Sequence, residues 1–256
     1  MERCPPNRVN SSAWGWNGIG QLGDATTIDR HTPVQVKNLS GVTAVDAGQG
    51  HNLALKSDST VWGWGLNCSG ELGDGTTIDR HTPVQVQNLS GVTCVASGDD
   101  HSLALKSDGT VWTWGRNMFG ELGDGTITDR HTSVQGQNLG GITAVAAGAG
   151  HSVALKSDGT VWTWGRNGVG QLGDGTTIER HTPVRVLSLS GVTAIAAQSG
   201  HSLALRPIGL PFDGIVQAWG WNINGQLGDG TTVDRPYPVQ VANLRRGQGH
   251  RRRYEG

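Results

Sequence analysis

Residues 141–190 read GITAVAAGAG HSVALKSDGT VWTWGRNGVG QLGDGTTIER HTPVRVLSLS. Ile142–Ala146 alternates and is β-branched, as a half-buried strand should be. Ser152–Lys156 and Val161–Trp164 flank Ser157-Asp158-Gly159-Thr160, and an Asp-Gly between two such runs is a strong hairpin signal. A last strand is expected around Pro183–Val186. No segment carries apolar residues at helical spacing for long enough to compete. The glycines of L-G-D-G-T suit positive φ or close strand approach. The stretch thus predicts three to four short strands and no helix.

The same stretch recurs along the chain. Trp14, Trp64, Trp114 and Trp164 each open a W-G-x-N segment, fifty residues after the last, and Trp219 opens a fifth. His51, His101, His151 and His201 keep the same step, and so do His31, His81, His131 and His181. The units run roughly 9–40, 41–90, 91–140, 141–190 and 191–244, inside a single repeat domain spanning 1–256, with atypical ends at 1–8 and 245–256. Strands repeated at this period are the arithmetic of propeller blades. A lone blade cannot bury both faces, whereas stacked blades can. The predicted fold is therefore all-β, a β-propeller of about five blade repeats. The five tryptophans and the His51 series read as structural positions, refilled in every unit because the core between blades demands it.

The string W-G-x-N-x-x-G-Q/E-L-G-D-G-T, preceded by G-x-x-H-S-x-A-L-K-S-D-G-T-V, resembles the regulator of chromosome condensation repeat over roughly residues 9–244. The resemblance implies an all-β propeller, usually of seven blades. Five copies then mean a smaller or open ring, or an incomplete part of a seven-bladed one; a complete ring implies a monomer. The family includes an exchange factor for a small nuclear GTPase, a bacterial inhibitor of β-lactamase, and many scaffolds.

The ends break the pattern. The stretch from Arg245 to Arg253 is basic, but its codons can be chosen so that a one-base shift reads Val-Gly-Val-Arg-Val-Ile-Ala-Ala-Gly, the strand the repeat calls for. Glu2–Pro6 likewise becomes Ser-Val-Ala-Leu-Arg. The expectation is that both ends are out-of-frame translations of further repeats. A real basic tail that binds polyanions is the rival.

Composition excludes several classes. The formal net charge is −1, which gives no bulk attraction for nucleic acid or anionic membrane. No apolar run approaches membrane-span length and no signal peptide is visible, so the compartment stays open. Glycine contributes 41 of 256 residues, against an average of about 7 %, as a fold of many tight turns requires. Cys4, Cys68 and Cys94 make neither a disulfide framework nor a metal pair.

Chemistry is equally sparse. The two histidine series lack close ligand spacing, so no metal is expected. One Asp per L-G-D turn (Asp24, Asp74, Asp124, Asp174, Asp229) is too few oxygens for calcium and suits bonding to its own turn. The pairs from Asp29-Arg30 to Asp234-Arg235 read as loop-fixing partners. No unique set of unlike groups suggests catalysis, and no cofactor is implied.

Recognition is expected where units differ. One variable cluster follows W-G and contains Trp16, Leu66, Arg116, Arg166 and Trp221, with Met118 and Phe119 just beyond. The other precedes the His51 series and contains Asp99 and Asp100. These are the candidate partner-binding residues, because aromatic, Met and Arg side chains are interface anchors. An insertion at 206–214 exposes Ile208, Leu210 and Phe212 as a further candidate. The sequence thus points to a non-catalytic scaffold that binds another protein through loops on one face. An exchange factor, or an inhibitor of a secreted hydrolase, remains the alternative by family analogy.

Overall fold

The computed structural model describes residues 11–207 and 214–244. The two atypical ends and the tip carrying Ile208, Leu210 and Phe212 lie outside them. Every regular element among the described residues is a strand. β1 (Ser12–Gly15) and β2 (Arg30–Gln35) pair as a two-stranded sheet. β3 (Val42–Ala47), β4 (His51–Lys56), β5 (Val61–Gly65) and β6 (Arg80–Gln85) form the first four-stranded sheet. The second holds β7 (Val92–Ser97), β8 (His101–Lys106), β9 (Val111–Gly115) and β10 (Arg130–Gln135). The third holds β11 (Ile142–Ala147), β12 (His151–Lys156), β13 (Val161–Gly165) and β14 (Arg180–Arg185). The last holds β15 (Ala194–Gln198), β16 (His201–Pro207), β17 (Gly214–Gly220) and β18 (Arg235–Gln240). All pairing is antiparallel, in chain order. This is an all-β propeller of about five blades.

The hairpins form where Asp-Gly predicts them. Asp108 Oδ1 accepts from the Thr110 amide and hydroxyl at 3.0 and 2.6 Å, and Gly109 takes φ 77°. The last strand of each unit begins earlier than Pro183 suggests. Gly165 opposes Arg180 and Thr163 opposes Val184, so residues 181–183 bulge between them.

The core lies between sheets. Leu53, Val61 and Val86 of one blade meet Val95, Ala104 and Trp114 of the next. Equivalent clusters close over Trp164 and Trp219. Sheets buried on both faces explain why Leu103-Ala104-Leu105 is continuously apolar. Among the described residues, the first and last sheets lack a second neighbour. Val45 is 62 % exposed where Val95 is 8 %, because β1 and β2 supply no inner strands to cover it. Leu205, on the last sheet, is 39 % exposed where Leu155 is 5 %.

Candidate functional site

The W-G-x-N loop is built around its asparagine. Asn67 Nδ2 donates to the carbonyls of Thr76 and Ile78 at 3.1 Å each and to Asp74 Oδ1 at 3.2 Å. Its Oδ1 accepts from the Leu72 amide at 2.9 Å. Asp74 also accepts from the Thr76 amide and hydroxyl and from Arg80, whose Nη2 lies 2.6 Å away. Burial pushes the Asp74 carboxyl up, but the bonds from Thr76 and Arg80 outweigh it and leave it below the usual range. The same constellation recurs at Asp24, Asp124, Asp174 and Asp229. This corrects the expected pairing. Arg80 binds Asp74 rather than its neighbour Asp79, whose carboxylate instead accepts from the Asn67 amide at 2.8 Å.

Blades are joined by the recurring His and Trp. His101 Nε2 lies 3.0 Å from Ser152 Oγ in the next blade. Ser152 Oγ donates to the Glu121 carbonyl at 2.8 Å, so it must accept the imidazole proton, and the ring is neutral with hydrogen on Nε2. His51 and His151 repeat the contact with Ser102 and Ser202. Burial holds His51 down to about 4 and His101 and His151 to about 3. His201 has no following serine among the described residues and is only half-buried. Trp114 Nε1 donates to the Glu71 carbonyl of the preceding blade at 2.7 Å. Trp64, Trp164 and Trp219 do the same. Trp14 departs from this role: it is 64 % exposed, because no described strand precedes it to receive its ring.

The variable positions collect at one end of the blades. His51 opposes Gly65, so the turn before His51 and the long loop after Gly65 leave the sheet together, opposite the Asp-Gly hairpins. Within this face the two clusters interlock. Ile19 and Leu66 close over Gly50, Phe119 and Arg166 over Gly150, and Val169 and Trp221 over Gly200. Where Asp100 replaces that glycine, its carboxylate pairs with Arg116 at 2.8 Å. Arg116 and Arg166 both stack on Phe119, 6.0 and 5.3 Å from its centroid, and Arg116 also contacts the Met118 sulfur. Trp16, Met118 and Arg166 are exposed, whereas Leu66, Phe119 and Trp221 are partly covered. Asp99 stands apart, facing a cavity of about 620 Å³ between the inner strands β3, β7, β11 and β15. Asp46 and Ser97 line the same cavity. Sequence reasoning passed them over, although their positions hold alanine in the other complete blades.

Among the described residues no three His, Cys, Asp or Glu side chains gather as metal ligands. Cys68 and Cys94 are free thiols.

No curated protein matches the chain in sequence. Among solved structures, human WBSCR16 is similar at 25 % identity and TM-score 0.76, over 88 % of this chain and 60 % of its own. Prp20p from Saccharomyces cerevisiae, described with its binding properties to Gsp1p and histones, is similar at 26 % identity and TM-score 0.71, over 87 % of this chain and 55 % of its own. The chain therefore spans little more than half the length of these structures. The model of the regulator of chromosome condensation (RCC1) repeat matches residues 13–55, 58–105, 108–155, 158–205 and 213–250. The matches over 58–105, 108–155 and 158–205 each start in the hairpin before the third strand of one blade and end in the second strand of the next, so the covalent unit straddles the joint made by His and Trp. With the repeat matched five times along most of its length, the chain belongs to the RCC1 repeat family.

Proposed function

We propose that the chain is a non-catalytic scaffold that binds a protein partner through its loop face. One observation carries this reading: the two clusters that vary around W-G and before His51 and its equivalents meet at one end of the blades, with Trp16, Met118 and Arg166 exposed. Such side chains supply contact area and anchoring energy at interfaces. Ile28, Ile78, Ile178 and Val233 are exposed on the same long loops and add apolar surface. Loops on a rigid frame are a common seat of recognition. The buried histidines commit their Nε2 protons to serine, which supports a structural role rather than acid–base chemistry.

A photo-crosslinking residue at Met118 should capture the partner, whose affinity can then be measured. Trp16→Ala, Arg116→Ala and Phe119→Ala are each expected to weaken it by about tenfold or more. Asp108→Ala, at the opposite end, should leave it unchanged. Equal affinity for all four variants overturns the reading.

A second reading, guanine-nucleotide exchange, is supported by the likeness to Prp20p and its binding to Gsp1p. Accelerated nucleotide release from a small GTPase on adding the chain would establish it.

A further inference from the structure

The cavity between the inner strands is where the repeat breaks most sharply. Position by position, the complete blades place Asp46, Ala96, Ala146 and Ala196 at one site and Ala47, Ser97, Ala147 and Ala197 at the next. Two residues on come Gln49, Asp99, Ala149 and Ser199. The departures put two carboxylates around one space.

One of these carboxylates is held in place, and among the described residues both lack a positive partner. Asp46 Oδ2 accepts from the Ser97 amide at 2.7 Å, which bridges β3 to β7 and fixes the carboxylate. Ser97 lines the cavity, is only 9 % exposed, and its hydroxyl is buried with no hydrogen-bond partner. Among the described residues neither Asp46 nor Asp99 forms an ion pair with a basic side chain. Burial pushes both carboxyls above their usual range, the mark of negative charge that is desolvated and uncompensated. The rim is stiff. The Gln49 amide donates to the Asp99 carbonyl and the Ala149 amide to the Ser199 carbonyl, at 3.3 and 2.8 Å. A Cβ on Gly48 would lie 2.3 Å from the Gly98 carbonyl, so successive turns are in contact.

The complement of such a site is a cation rich in donors. Too few ligating side chains converge for a metal. A long aliphatic stem with a terminal ammonium or guanidinium fits better, because Val45, Val95, Val145 and Ile195 line the same space. Asp99 also belongs to the turn whose next residue, Asp100, grips Arg116 on the loop face. The cavity thus opens beside the surface assigned to the partner.

We propose that this cavity receives a lysine or arginine side chain of a protein docked on the loop face, its cation held by Asp46 and Asp99. The inference rests on the scaffold reading and names one determinant of the partner. Removing either carboxylate leaves the cation half-paired, and truncating one side of a desolvated charge pair costs affinity steeply.

The test is an amide-detected NMR titration of the full chain with acetyl-Gly-Ser-Arg-Gly-Ser-amide and its lysine and norleucine counterparts. The expected result is saturable shifts at Gly98 and Asp99 with arginine or lysine and none with norleucine. Asp46→Asn with Asp99→Asn should weaken binding at least about tenfold, while Asp108→Asn should not. Asparagine keeps an acceptor for the Ser97 amide, and Asp99→Asn alone, expected to weaken binding about threefold or more, is a second variant that leaves the Asp46 bridge in place. Equal binding of norleucine, indifference to the aspartate changes, or tight binding of spermine without the peptides overturns the proposal. If the peptides fail while Arg116→Ala and Phe119→Ala still release the crosslinked partner, the cavity inference falls and the scaffold reading stands. If the loop variants have no effect, the scaffold reading falls first.

Discussion

Ala25 sits at φ 69°, where the other units place Gly75, Gly125, Gly175 and Gly230 at 80–83°. A side chain in the left-handed region strains the turn, and glycine does not. Ala25→Gly should therefore stabilise the chain by about 1 kcal/mol in urea unfolding. Glu121 is a second local misfit. It is buried where Gln21, Gln171 and Gln226 stand in other units, and burial pushes its carboxyl up to about 7, against the opposing bonds from its own backbone and the Phe119 amide. Its folded value lies above its unfolded one, so the protonated form is favoured by folding, and stability falls as pH rises from about 4.5 towards 7. Glu121→Gln keeps an acceptor for the Phe119 amide, as Gln171 does for Val169 at 3.1 Å. The variant should gain up to about 3 kcal/mol at pH 8 and almost nothing at pH 4. An equal gain at both values would show that ionisation is not the cause.

At the scale of the element, the long loop between the third and fourth strands of a blade depends on one amide side chain. Asn117 supplies acceptors and donors to Leu122, Thr126 and Thr128 in a segment with no strand partner of its own. Asn117→Ala leaves those backbone groups buried and unpaired, so denaturant unfolding should show a loss of about 3 kcal/mol. The strands themselves were legible in the sequence, because Asp-Gly hairpins and a fixed period leave little choice of register. The Asp–Arg pairing was not. Adjacency suggested Asp79 with Arg80, but the loop folds back so that Arg80 reaches Asp74 six residues earlier. Asp46 and Ser97 were hidden for a related reason. A run of alternating valine and alanine does not say which side chains face a neighbouring blade and which face the cavity.

For the whole molecule, the joints between blades set the response to acid. His51, His101 and His151 are neutral in the fold and held well below their ordinary value by burial. Their stabilising effect is complete above about pH 6.5 and is lost as pH falls towards 4, because the unfolded chain takes up protons that the fold refuses. Three such groups give a slope approaching 4 kcal/mol per pH unit, offset in part by Glu121, which runs the other way. Urea midpoints measured between pH 7 and 4 should drop accordingly, and a flat profile would contradict the buried, neutral assignment. The exposed Trp14, Val45 and Leu205 belong to this scale too. Their repeat positions match core positions in the other blades, and among the described residues no further sheet covers them.

The joints between the fifty-residue units link a residue to the adjoining copy at a constant offset, as His51 does with Ser102 and Trp164 with Glu121. Excising residues 91–140 would join Ser90 to Gly141, bring His51 to Ser152, and hand the Trp164 ring to the Glu71 carbonyl. The new contacts are chemically the same as the old. Recombination between near-identical copies can thus add or remove a blade without redesigning any surface, which makes blade number a heritable variable, open to change by replication slippage alone.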